Sequence, residues 1–349
     1  MLRCYGLKNG EKKFNIKALI AVVVFAAVIS GLVFADFIKS RQEYICTDIA
    51  MNTVINFKLY GTNGRENAAE LSEEIKAMDS SLFSRYEDGS DIGRVNASEG
   101  EAVSVSPEVL SVIETAVDVA DNCGGVFDVT VGKVTELWGF GGENQRIPSA
   151  EELSDLLPYV GYTKMKISGA AITLGENQAL DLGAVGKGAA CDIIRTRLDS
   201  MSTDSAVISV GGSLLLYGKR DFSIGIANPD NNTQSMGTLK LSDTCVSTSG
   251  DYEQCFEQDG KTYHHILSAV TGRPAASHLR SVTVVCDSGV LSDALSTACF
   301  ILGYNDSSLA LLKKYNAEAI FITSDNIVRC TDGIKKDFEL TDSTFTLGK

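Results

Sequence analysis

Asp293 and Thr297 lie four residues apart in the stretch 281–303, SVTVVCDSGVLSDALSTACFILG. On a helix that spacing projects both side chains from one face, one turn apart. A carboxylate and a hydroxyl so placed beside an apolar stripe can hold a hard cation such as Mg2+. The same pair also reads as a solvated Asp and a Thr bonded to its own backbone. In the run 179–198, ALDLGAVGKGAACDIIRTRL, Gly183, Gly186 and Gly188 surround Lys187. The spacing is neither that of a P-loop nor that of the GxGxxG dinucleotide fingerprint. A glycine turn feeding a helix amino terminus, with a lysine at hand, suits a pyrophosphate; otherwise it is a plain tight turn. His264 and His265 are two of only three histidines. On a strand they point to opposite faces, which argues against zinc and leaves one of them as a base or orienter near neutral pH.

Other candidates are weaker alone. Ser247, Thr248, Ser249 and Gly250 offer donors to a phosphate or ribose, or form an ordinary turn. Gly211 and Gly212 interrupt an apolar strand, which predicts a bulge or a close approach by another backbone or a ligand. Trp138, the only tryptophan, sits among Gly132, Gly139, Gly141 and Gly142. Glycines beside an aromatic let backbone pass close to a planar ligand, or else the Trp anchors a surface loop. Arg273 is the cationic member of a TGRP turn.

The elements that must carry these residues alternate in type. Residues 281–286 read as a β-branched strand; Leu291, Ala294, Leu295, Ala298, Cys299 and Leu302 then recur at helical spacing, with Asp287 or Ser288 as cap and Gly303 as stop. Earlier come a strand over 53–60 and an amphipathic helix over 67–83. A polar, Gly-punctuated loop over 84–96 follows, then a helix opened by Ser106-Pro107. Further on are a short helix over 151–157, a hairpin over 165–174, a strand over 222–227, a loop over 231–235 and a hairpin over 256–263 turning at Asp259-Gly260. A helix over 307–315 and a closing hairpin around Ser324-Asp325 complete the chain.

The chain has 349 residues and a formal net charge of -14. Such a surface repels nucleic acid, and no basic stripe with interleaved aromatics offsets it. Nine cysteines carry no CxxC pair and no zinc spacing; Cys191, Cys286 and Cys299 read as small core residues, with no structural disulfide expected. Lys12, Lys13 and Lys17 precede the uncharged run 18–35, ALIAVVVFAAVISGLVFA. At helical rise it spans roughly 27 Å, which predicts a transmembrane anchor with the body outside, or a signal segment cleaved before Asp36. Residues 1–38 are thus a cytoplasmic stub with a membrane anchor or signal segment, 39–47 a tether, and 48–349 the functional domain. The expected localisation is the cell membrane, with that domain extracytoplasmic.

Taken together, SRYEDGSDIGRVN, FDVTVGKVTELWGFG, DLGAVGKGAACD, SVGGSLLLYG, STSGDYEQCFEQDGKTYHHI, TGRPA and VLSDALSTACFILG resemble the FAD:protein FMN transferases, the ApbE-type flavin transferases. The resemblance covers the chain from about Asp48 onward. It implies an α+β, two-lobed fold with mixed or antiparallel sheets flanked by helices. It implies transfer of FMN from FAD to a Thr or Ser hydroxyl of a membrane or exported redox protein, with release of AMP and a need for Mg2+. Carried over by motif, Asp293, Thr297 and the Gly186 carbonyl would hold the metal, and His265 would orient or deprotonate the acceptor, with Asp293 the competing base. Met51, Asp128, Thr130, Trp138, Asp181, Lys187, Gly211, Gly212, Ser247, Thr248, Ser249, Gly250 and Arg273 would shape the FAD pocket. Two other readings stay open: a metal-dependent pyrophosphatase giving FMN and AMP, and a flavin-binding protein without chemistry.

Overall fold

The computed structural model describes residues 42–348. Nine strands form its central sheet: β1 Glu43–Ala50, β2 Thr53–Gly61, β3 Thr203–Val210, β4 Ser213–Tyr217, β5 Thr244–Gly250, β6 Leu279–Cys286, β7 Glu318–Thr323, β8 Ile327–Cys330 and β9 Thr346–Leu347. Their spatial order follows this numbering, antiparallel throughout except for the last, parallel pair. β-Branched residues and period-two burial drive it: in β2, Ile55, Phe57 and Leu59 are buried while Val54 and Asn56 are exposed.

Helices cover one face. These are α1 Gly64–Met78, α2 Pro107–Asn122, α3 Gly186–Leu198 and α4 Gly289–Leu302, and their apolar stripes join Ile55, Phe57, Val282 and Val284 in the main core. α2 starts where expected, with the Ser106 hydroxyl capping and Pro107 in the first turn. The opposite face, from Tyr60 of β2 outward, is covered by a three-stranded sheet built from Phe222–Asn228, Asn231–Leu241 and Phe338–Leu340 around Leu216, Met236, Leu239 and Ile320. A third, small cluster holds Val134, Trp138, Leu153 and Leu267.

Several expectations need correction. The anchor over 18–35 lies outside the described residues, and among the described residues no helix is long and apolar enough to cross a membrane. Among the described residues the expected transmembrane element is thus not found, and the membrane partner and membrane localisation that rested on it gain no support there. The expected tether is strand from Glu43 onward, because Tyr44, Cys46 and Asp48 face α1 in alternation. Instead of two lobes, the chain from Glu43 forms one unit. Gly211-Gly212 is the turn between two strands, not a bulge within one. Residues 231–235 are strand; their side chains are all exposed, so no alternation marks them. Part of the polar loop over 84–96 is a short helix, Asp91–Asn96, capped by Ser90.

Candidate active site

α3 and α4 cross at glycine. A Cβ on Gly188 would collide with the Gly289 carbonyl, so only glycine lets the helices approach this closely. The crossing is tied from both sides. Asp192 of α3 accepts from the backbone amides of Gly289 (2.6 Å) and Val290 (3.0 Å) and from the Ser288 hydroxyl (2.8 Å), capping α4. In return, Asp293 of α4 accepts from the Gly188 amide at 2.6 Å.

Asp293 is buried, and its second oxygen accepts from the Ser213 hydroxyl at 2.6 Å. Burial pushes its pKa up, while Lys187, Ser213, Ser247 and the Gly188 amide pull the other way. Beside it runs a hydroxyl seam between β5 and α4: Ser247 with Ser292 (2.8 Å), Ser249 with Ser296 (2.8 Å) and Ser249 with Thr297 (3.2 Å). Alternation sends Thr248 to the other face, where it pairs with Thr283 at 2.8 Å.

The β1–β2 and β3–β4 turns close the site. Met51 and Asn52 both adopt positive φ, 51° and 53°, a cost for side-chain-bearing residues. The Met51 amide is held by Asp79 at 2.9 Å, and the Met51 methyl lies 3.5 Å from where a Cβ on Gly186 would be. Gly211, at φ 58°, lies under Thr53 and Lys187: a Cβ there would be 2.7 Å from the Thr53 hydroxyl and 3.3 Å from Lys187 Cδ. The Gly212 carbonyl accepts from Thr248 at 3.0 Å.

His265 follows the hairpin Cys255–Gln258/Lys261–His264, with Nδ1 3.2 Å from the Gln254 carbonyl. Its imidazole is pushed down to about 4, first by burial and then by the Lys187 charge, while Asp181 pulls it up. Asp181 itself accepts from Arg85 (2.9 Å) and Thr135 (2.6 Å).

Comparison with known proteins places this geometry. The profile of the ApbE family matches residues 51–321. The chain belongs to the ApbE family. It is 30% identical over 332 residues to the FAD:protein FMN transferase of Treponema pallidum, covering 88% of this chain and 91% of that one. Among solved structures, the ApbE protein of Thermotoga maritima superposes with a TM-score of 0.79 at 30% identity, over 85% of this chain and 99% of that one. The apo flavinyl transferase ApbE of Pseudomonas stutzeri gives 0.74 at 27% identity, over 85% and 96%.

Within this ApbE-family chain, Met51, Gly186, Lys187, Gly211, Gly212, Ser247, Ser249, Asp293 and Thr297 gather at one end of the sheet, with His265 within reach of the Lys187 charge. Other expected residues are engaged with their own neighbours. Asp128 accepts from the amide and hydroxyl of Thr130 (2.8 and 2.7 Å) and from the Tyr162 amide (2.7 Å), and the Thr130 hydroxyl accepts from the Gly161 amide (2.9 Å), so the pair braces a loop. Trp138 is fully buried, donates to the Gly272 carbonyl at 2.7 Å and stacks on Phe140. A Cβ on Gly250 would meet the Tyr252 ring at 2.7 Å. Arg273 is exposed.

Two residues were not singled out by sequence. Tyr86 exposes 75% of its surface beside Arg85, whose guanidinium lies 4.8 Å from its ring. Glu253 is open to solvent, yet desolvation by the protein around it raises its pKa, a combination that a cleft produces. It faces Gly212, Lys187 and Asp293.

Metal binding by the protein's own side chains alone is corrected: among the described residues no group of three or more His, Cys, Asp or Glu could hold a metal ion. What the site offers is one buried carboxylate and one hydroxyl a turn away. That donor set fits a hard cation only if the remaining ligands are water and substrate oxygens.

Proposed function

We propose that this end of the sheet binds FAD and moves its FMN half onto a Thr or Ser hydroxyl of an acceptor protein, releasing AMP. As a member of its family the chain is an enzyme, an FAD:protein FMN transferase. The observation that carries the finer reading is the buried Asp293 carboxylate, fixed at the amino terminus of α3 with Lys187 beside it. A helix amino terminus and a lysine attract the pyrophosphate. Tyr86 offers an exposed ring face for the planar flavin. Glycine at 211 and 212 keeps the β3–β4 turn low enough for a ligand to lie across it.

In the proposed step the acceptor oxygen attacks the phosphorus that bears riboflavin. The bond from that phosphorus to the bridging oxygen of AMP breaks, and AMP leaves with the electron pair. The hydroxyl proton passes to solvent by way of His265, which is neutral above about pH 4 and free to accept it. Positioning and charge stabilisation carry most of such a transfer, so a weakly basic imidazole suffices. A divalent cation bound at Asp293, Thr297 and the Gly186 carbonyl would offset charge on the pyrophosphate oxygens.

The test incubates the chain with FAD, Mg2+ and a flavoprotein fragment carrying one candidate Thr, and follows the fragment and the nucleotide by mass. FMN on the fragment together with AMP in solution is the expected result. AMP with free FMN and an unmodified fragment would favour the pyrophosphatase reading.

A further inference from the structure

Among the described residues seven large apolar side chains are exposed, and three of them, Ile45 (60%), Ile49 (70%) and Val54 (49%), share one face of the β1–β2 hairpin. Chance would scatter them. The three-stranded sheet that covers this side of the central sheet reaches only the far end of β2, where Phe222 packs near the Tyr60 ring, and leaves Ile49 and Val54 exposed. The face is graded. Ile49 and Val54 are direct cross-strand partners next to the Met51-Asn52 turn; Thr47 and Asn56 come next, hydrogen-bonded at 2.8 Å; Ile45 stands opposite Lys58, which is ion-paired with Glu43 at 3.3 Å, and Glu43 lies opposite Tyr60 at the far end. The end without charge, where two aliphatic side chains face each other, is therefore the end at the active site.

We propose that this face seats the acceptor polypeptide, holding an extended segment whose aliphatic side chains flank the Thr or Ser to be modified. The inference rests on the transferase reading, since FMN passes to a protein only if that protein reaches the rim of the site. The surface is continuous with that rim: the turn joining Ile49 to Val54 carries Met51 against Gly186, and Thr53 lies against Gly211. It is also uncharged at its inner end, on a protein of net charge -14, so the occupant it suits is neutral and apolar rather than basic. Ile49 and Val54 are the anchors, because an exposed aliphatic pair gains most from being covered.

The experiment uses the full chain and a flavoprotein fragment that the unaltered enzyme labels with FMN. Ile49→Lys and Val54→Lys should each raise the KM for the fragment about tenfold or more, as expected for losing burial of one aliphatic side chain. Affinity for FAD, read from quenching of flavin fluorescence, should stay within about twofold, and Ile49→Val should restore the KM. Both sites are exposed, so neither change threatens folding. An unchanged fragment KM in both Lys variants overturns the proposal. So does an altered sedimentation of the enzyme with an unchanged KM, which would assign the face to contact between copies. Absence of labelling by the unaltered enzyme is seen before any variant is made, and would overturn the transferase reading instead.

Discussion

The Gly188 amide holds one Asp293 carboxylate oxygen and the Ser213 hydroxyl the other. Asp293→Ala removes the charge and both bonds; FMN transfer should fall by roughly a thousandfold or more, read as labelled acceptor per unit time. His265 is a subtler case. Its folded pKa of about 4 lies below the ordinary 6.5, so the unfolded chain binds this proton more tightly than the folded one. The stability tied to this residue is complete above pH 6.5 and is lost as pH falls toward 4. Urea midpoints at pH 7 and pH 4.5 should differ, and His265→Gln should narrow the difference; an unaltered gap would show that another group sets it. Because the Lys187 charge lowers this imidazole, Lys187→Met should move its titration upward, as followed by NMR of the ring protons.

At the scale of elements, the chemistry depends on how α3 meets α4. Asp192 satisfies the amides of Gly289 and Val290 and holds the Ser288 hydroxyl. Asp192→Ala should cost about 1–2 kcal/mol, in line with loss of a cap, measured by urea unfolding. Transfer should fall with it, because the cap sets the position of Asp293 one turn further along. Gly188→Ala drives a methyl group into the Gly289 carbonyl and should cost about 2 kcal/mol or more. If this variant keeps both stability and turnover, the close crossing is not what positions the carboxylate.

At the scale of the molecule, Trp138 reports on a small region. Its cluster has four buried apolar residues and lies apart from the main core. The fluorescence transition of this single Trp should therefore come at lower urea than the far-ultraviolet transition of the helices; coincident curves would mean that the cluster unfolds with the whole. Its separateness was not visible in the sequence, where a tryptophan among glycines suggested contact with a planar ligand. The rings that cover it, Phe140, Phe256 and Tyr263, come partly from a hairpin more than a hundred residues away.

Local chemistry did determine much. Ser106-Pro107 can only open a helix efficiently, Asp259-Gly260 supplies the two positive φ angles of a tight hairpin (55° and 71°), and the change from period two to helical period after Cys286 produces the strand and helix that carry Asp293. Motif order along the chain was enough for the family. Tertiary structure alone decided that Asp192 caps α4, that Gly211-Gly212 is a turn under Lys187, that residues 231–235 pair as strand, that Asp128 and Thr130 brace a loop, and that Ile49 and Val54 lie bare beside the site. Those outcomes depend on which distant segment supplies a hydrogen-bond partner or a covering side chain, and periodicity records only that a residue is covered, not by what.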